Sequence, residues 1–330
     1  MSQLKVSIIG TGTIGTSLGL ALKNSQASVE ITGHDLEHEH AGQALKMGAL
    51  DHTHWNLPKA VEGADLVILA TPLSAIRATL LYIAEDLRPD AVVMDVAELK
   101  KPVLAWAAEF LPDTVHFIGT NPLVSVPSRG PAGASATLFT GKRIALVPSA
   151  NAKSAALDLV TNVVQVIGAE PLFISAEEND SMVAAMRQIP LMLKVAYGHL
   201  VFTSPTWREM REMVDPTFAA FTALPTTDVE ELYTLLFSNR AALRHWVNAL
   251  QETLSLLQAF LESDPVEEQE QHERLRQMIA TLLEQQAQWE TGVEQGEVER
   301  FDTAIRQAKE ITSLEQLLVG RFFRHRRRKD

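Results

Sequence analysis

The sequence predicts an α/β protein with a doubly wound, mostly parallel sheet covered by helices on both faces, followed by an all-α region. Three observations predict it. Short β-rich runs alternate with helical segments through the first half, a glycine-rich turn joins the first run to the first helix, and no strand pattern remains beyond Glu177.

The runs KVSIIG, VEITGHD, ADLVILAT, AVVMDV, VHFIGT and RIALVPS are nearly continuous in apolar residues, as expected of strands buried on both faces. Between them, GTSLGLALKNS, AGQALKMGA, SAIRATLLYIAEDL and KPVLAWAAEFL carry helical spacing. A helix from Ser154 to Gly168 and the strand-like PLFIS close this domain near Ser175, giving expected domains of 1–175 and 176–330. In the second, EENDSMVAAMRQIPLMLKVAYGHLVF contains Pro190, which is expected to kink it. ELYTLLFSNRAALRHWVNALQETLSLLQAFLES keeps apolar residues at helical spacing, SDPVEEQEQHERLRQMIATLLEQQAQWETGVEQ is a charged helix, and a last helix starts near Glu297. So apolar a helical region has more surface than it can hide, which predicts a homodimer formed through it.

With 330 residues, 46% of them hydrophobic, the chain can bury two cores. A net charge of −12 argues against a nucleic-acid binder. The absence of cysteine excludes disulfide and thiolate chemistry. No export signal is legible and the longest apolar runs are of strand length, so a cytoplasmic protein without a membrane span is expected. No metal site is expected. The basic end RFFRHRRRKD reads as a solvated helix terminus or as a docking site for an acidic partner.

IIGTGTIGTSLG carries Gly10, Gly12 and Gly15 as G-x-G-x-x-G, directly after a strand and at the start of a helix. This is the fingerprint of a Rossmann dinucleotide-binding turn. Gly10 allows the tight turn, Gly12 lets backbone approach a pyrophosphate, and Gly15 lets helix and strand touch. Thr11, Thr13 and Ile14 complete the turn, and the helix N-terminus is expected to hold the pyrophosphate. Asp35 follows Gly15 by 20 residues, placed to accept from the ribose hydroxyls. No Lys or Arg follows until Lys46, and Glu37 and Glu39 would repel a 2′-phosphate, so NAD is favoured over NADP. Thr71 and Pro72 end the third apolar strand, where they either line the nicotinamide side or form a purely structural turn.

An ordered string of motifs resembles the prephenate and arogenate dehydrogenases of tyrosine biosynthesis over some three quarters of the chain. GTGTIGTSLGLALK resembles the family's opening, and ADLVILATPLSAI its third strand and loop. DVAELK stands where the family has D-x-x-S-x-K, and TNPLVSVPSRGPAGASATLFTGKRIALVP aligns with the segment opening G-H-P-M-A-G. END at 178–180, then AAMRQIPL, resembles E-H-D and S-H-L-P-H, and DVEELYTLLFSNR resembles D-P-x-x-W ending in N-R. The resemblance implies hydride transfer from a cyclohexadienol to NAD with loss of carbon dioxide. The protein then has to polarise a hydroxyl and hold a side-chain carboxylate.

Residue by residue, the polar positions differ. The family's catalytic His corresponds to Asn121, and the Ser bonded to it to Glu98. The helix His and its preceding Ser become Gln188 and Arg187, and two arginines become Ala219 and Ala223. Asn121 can orient a hydroxyl but cannot take its proton. Glu98 is therefore the expected base, with a surface carboxylate as the competing reading. Arg187 and Gln188 are the expected substrate contacts, against a solvated helix arginine. Arg129, in the loop after Asn121, is a weaker candidate. His116 lies at the far end of the same strand, ~16 Å away. Lys100 reads as structural. Three functions stay open: a dehydrogenase of this type, a dehydrogenase of the same fold acting on another substrate, and a dinucleotide sensor without catalysis.

Overall fold

The computed structural model describes residues 3–294 apart from 26, 127, 227 and 265–268; the expected last helix and the basic C-terminal run lie outside the described residues. Eight strands form one sheet in the order β3-β2-β1-β4-β5-β6-β7-β8. They are β1 (Leu4–Ile9), β2 (Val29–His34), β3 (His52–Thr53), β4 (Leu66–Leu69), β5 (Val92–Asp95), β6 (His116–Pro122), β7 (Arg143–Pro148) and β8 (Glu170–Phe173). The helices of the sheet region are α1 (Thr13–Asn24), α2 (His38–Lys46), α3 (Leu57–Val61), α4 (Leu73–Ile83), α5 (Lys101–Phe110) and α6 (Ser154–Val166).

Alternating side chains of the central strands enter two cores, as a period of two requires. Ile8, Ile68, Met94 and Ile118 pack on one face with Leu18 and Leu22 of α1 and Val160 and Val164 of α6. Ile9, Leu69, Val93 and Phe117 pack on the other with Ile76 and Leu80 of α4 and Val103 of α5. Both faces being covered explains why these strands read as unbroken apolar runs.

All neighbours pair in parallel except β6 and β7, whose register runs from Ile118↔Pro148 to Pro122↔Ile144. The link from β6 to β7 contains no helix long enough to cross the sheet, so the chain returns beside β6 in the opposite sense. Two elements had no clear sequence signal. β3 contributes only two pairs to β2, and α3 is a short turn whose cap, Asn56, accepts from the Lys59 N–H at 3.0 Å.

The change from sheet to helix falls between Phe173 and Ala176. The helices that follow are α7 (Ala176–Val183), α8 (Ile189–Phe202), α9 (Trp207–Met210), α10 (Pro216–Thr222), α11 (Val229–Phe237), α12 (Arg240–Glu262) and α13 (Gln269–Glu294). A capping box starts α7, with Ser175 and Glu178 exchanging bonds. Between α7 and α8, residues Ala184–Gln188 form a π-helical turn. Pro190 follows at once and has no N–H to continue an α-helical ladder, so the break expected there is realised as this turn.

By internal contacts the chain divides into two compact units, Met1–Leu250 and Gln251–Asp330; α7 to α11 therefore lie in the same unit as the sheet. The second unit contains the end of α12 and α13, joined by a 3.0 Å bond between Ser263 and His272. Among the described residues, no helix is long and apolar enough to cross a membrane.

Candidate active site

The glycine-rich turn leaves the C-terminal end of β1, between β2 and β4, where the strand order reverses. Each glycine has its own steric reason. A Cβ on Gly10 would lie 2.6 Å from the Ala70 carbonyl oxygen, and its φ of +92° is one that L side chains rarely adopt. A Cβ on Gly15 would lie 1.9 Å from the Gly10 oxygen. A Cβ on Gly12 would meet nothing within 4 Å. Gly12 is also the N-cap of α1, and no side chain caps that helix. Open space in front of an uncapped helix start fits a pyrophosphate. Ile14 packs against the first core.

Asp35 follows β2 directly. Its Oδ2 accepts from the Thr11 N–H at 2.7 Å and the Thr11 hydroxyl at 3.0 Å. Its Oδ1 accepts from the Glu37 N–H at 2.9 Å. The carboxylate thus holds the turn to β2, and its remaining acceptor capacity lies on Oδ1. Thr13 turns its hydroxyl away from the turn, donating to the carbonyls of Ser128 and Gly130 at 2.6 and 2.7 Å. It anchors the segment after β6 over the start of α1. Thr71 follows β4, and its Oγ1 is buried without a partner. Pro72 is the N-cap of α4, its carbonyl accepting from the Ala75 N–H at 3.0 Å.

Asn121 lies on β6, 2% exposed. Its Nδ2 donates to Asn179 Oδ1 at 3.0 Å. Asn179 in turn donates to the Glu98 carbonyl at 2.8 Å and to Asp180 Oδ1 at 2.9 Å. Asp180 accepts from the N–H groups of Lys100 and Lys101 at 2.7 and 3.0 Å, so α7 caps the start of α5. Beneath this chain, Lys100 and Asp95 form a fully buried pair, and Lys100 Nζ also donates to the Thr120 carbonyl at 2.6 Å. Burial pushes the Asp95 carboxyl up and the Lys100 amine down, each against the other's opposing charge. This locked pair fixes the β5 end on which Glu98 stands, which is the structural role read from the sequence for Lys100.

Two expected roles are altered by the contacts. Glu98 and Arg187 were expected as a base and a separate anion contact; they are each other's partners, Arg187 Nη1 lying 2.5 Å from Glu98 Oε1. Arg187 is thereby neutralised as an anion clamp, with a further contact of 3.5 Å to the Val124 carbonyl. Glu98 Oε2 is buried with no partner and is the free acceptor of the pair. Gln188, expected to touch substrate, is fully buried and its amide is taken up between helices. It donates to the Leu235 carbonyl at 2.5 Å and accepts from Asn239 at 2.7 Å. Arg129 is held by Glu231 at 3.2 Å on the surface.

Two polar residues were assigned no role from the sequence. Asn179 joins Asn121 to Glu98, but 58 residues separate the two asparagines and no local spacing links them. Lys194 on α8 donates to the Ala223 carbonyl at 2.9 Å. It places a cation at the C-terminal end of α10, where Ala219 and Ala223 offer none, and where the helix end favours it. Among the described residues, no group of three His, Cys, Asp or Glu side chains is arranged to hold a metal ion.

Residues 18–172 match the family model described as the nucleotide-binding domain of prephenate dehydrogenase. Prephenate dehydrogenase of Bacillus subtilis is 28% identical over 202 residues, 60% of this chain and 54% of that protein. Cyclohexadienyl dehydrogenase of Zymomonas mobilis is 26% identical over 185 residues, 56% of this chain and 63% of that protein. The match thus spans little more than half the length of these curated relatives. The crystal structure of the Aquifex aeolicus prephenate dehydrogenase, in complex with hydroxyphenyl propionate and NAD+, superimposes with a TM-score of 0.76. It is 21% identical, covering 86% of this chain and 99% of that one. The Synechocystis arogenate dehydrogenase gives a TM-score of 0.69 at 21% identity, over 85% and 99% of the two chains. These two likenesses establish the shared fold.

Proposed function

We propose that the chain, whose residues 18–172 match the prephenate dehydrogenase nucleotide-binding model, is an NAD-dependent dehydrogenase of the prephenate and arogenate type, oxidising a hydroxyl-bearing ring by hydride transfer. The observation that carries the reading is the glycine turn, with an open Gly12 in front of an uncapped helix and the unpartnered Thr71 Oγ1. Asp35 retains acceptor capacity for ribose hydroxyls, and no lysine or arginine near it would welcome a 2′-phosphate, which supports NAD over NADP. NAD supplies the hydride acceptor when bound. The chain's own part is to orient and deprotonate. The Asn121 amide, steadied by Asn179, positions the hydroxyl. Glu98 Oε2, buried and unpartnered, accepts its proton. Arg187, bonded to Oε1, holds the carboxylate in place.

A second reading keeps the hydride chemistry and changes the substrate. It is favoured by the missing cations at Ala219 and Ala223 and by the neutralisation of Arg187, which leave a substrate dicarboxylate without a bidentate partner. A substrate bearing an ammonium group can donate to the free Glu98 Oε2. We further propose that the protein works as a homodimer, since Met186, Leu200 and Met213 leave large apolar side chains exposed on the helical region.

The test is NADH formation by the purified protein with NAD and, in turn, prephenate and arogenate. Turnover with either is expected, and Glu98→Gln should lower it by roughly 10²–10⁴. Intact NAD binding with no NADH from either would transfer the case to another substrate or to a sensor.

A further inference from the structure

A cavity of about 420 Å³ lies at the N-terminal ends of interior strands of the sheet, opposite the glycine turn. Leu4, Val92 and His116 line it from the N-terminal ends of β1, β5 and β6. Ala155 and Ala156, in the first turn of α6, form another wall. The N-cap of that 13-residue helix is Lys153, and no side chain caps it. A helix start alone attracts anions only weakly.

The second observation is His116. It is 4% exposed, and neither ring nitrogen has a hydrogen-bond partner. Its Nε2 stands 3.5 Å from Asp90 Oδ1, too far for an effective hydrogen bond. A buried imidazole whose nearest acceptor is a long contact to an exposed carboxylate is poorly satisfied unless something completes it. Its Nε2 faces the Asp90 carboxylate, so an Nε2–H becomes available to another oxyanion only when that carboxylate moves. Lys153 Nζ adds a full positive charge, at present 2.7 Å from Asp90 Oδ1. Both side chains of that pair are largely exposed, so it holds only weakly and Asp90 can swing aside. Asp90 also has a φ of 60°, the left-handed conformation. Arg88 is bound to Asp65 at 2.8 Å, and Asp65 also accepts from the Lys5 N–H at 2.8 Å. That pair is a wall rather than a free cation.

We propose that this cavity is a second ligand site, taking a small molecule with an oxyanion group, carboxylate or phosphate, on a compact apolar body. The oxyanion sits between the start of α6, Lys153 and His116, displacing the Asp90 carboxylate. The body lies against Leu4, Val92 and Leu159. None of these residues belongs to the dehydrogenase site, so the proposal stands independently of the reaction.

Titration calorimetry of the full-length protein, saturated with NAD and at constant ionic strength, tests it with inorganic phosphate, butyrate and chloride as probes. Saturable binding of phosphate or butyrate, absent with chloride, is expected, and the stronger of the two identifies the head group. Asp90→Asn removes the competing charge and should tighten binding about fivefold. Asparagine tolerates the left-handed backbone, so this variant is expected to fold. His116→Gln should weaken binding by a similar factor. Binding that Asp90→Asn leaves unchanged, or no saturable heat from either oxyanion, overturns the proposal.

Discussion

Gly12 and Gly15 look alike in the motif, yet the space around them separates their roles. A methyl group on Gly15 would press into the Gly10 carbonyl, so Gly15→Ala should destabilise the fold by about 1–3 kcal/mol, seen as a lowered melting temperature. A methyl group on Gly12 meets only open space, so Gly12→Ala should melt like the parent protein. It should nevertheless weaken NAD binding by about tenfold or more, roughly 1.4 kcal/mol, in a calorimetric titration. Equal loss of stability in both variants would contradict this division. Lys100→Met tests the buried pair beneath Glu98. It leaves Asp95 buried without its partner, and denaturant unfolding should show a loss of about 3–5 kcal/mol.

The site is assembled by contacts between elements. Asp180, on α7, takes the two N–H groups that open α5, and the same helix brings Asn179 between Asn121 and Glu98. Asp180→Ala should cost about 1–2 kcal/mol, as the loss of a helix cap does. It should also lower kcat more than NAD affinity, because the Asp180 carboxylate bonds to Lys100, Lys101 and Asn179, beside Asn121 and Glu98. A fall in NAD affinity as large as the fall in kcat would break that argument. The π-helical turn before Pro190 is part of the same assembly. It directs Arg187 to Glu98 while burying Gln188 between Leu235 and Asn239. Neighbours in sequence thus face different surroundings. A helix pattern gives no sign of this, because the extra residue of a π turn shifts the face of everything after it.

For the whole molecule, exposed apolar side chains on the helical region favour a second copy. Sedimentation should give twice the mass of one chain, and Leu200→Asp should shift it toward the single chain. A parent protein that sediments as one chain at all concentrations would refute the dimer.

The sequence by itself determined the alternation of strand and helix, the glycine turn with its acid at Asp35, and the change to helix after the sheet. These are local: apolar runs buried on two faces, a glycine-rich turn, and helical spacing are written in neighbouring residues. It also identified which polar positions are unusual, at Asn121, Glu98 and Arg187. Only the tertiary structure decided how those residues are used. Asn121 is steadied by Asn179, Glu98 and Arg187 bind each other, Gln188 is withdrawn into packing, and His116 lines a cavity at the N-terminal ends of the strands. Each of these depends on partners 47 to 89 residues away, or on a cavity bounded by three strands and a helix. A hydrogen bond between distant segments leaves no period in either, so its partner is legible only once the chain has folded.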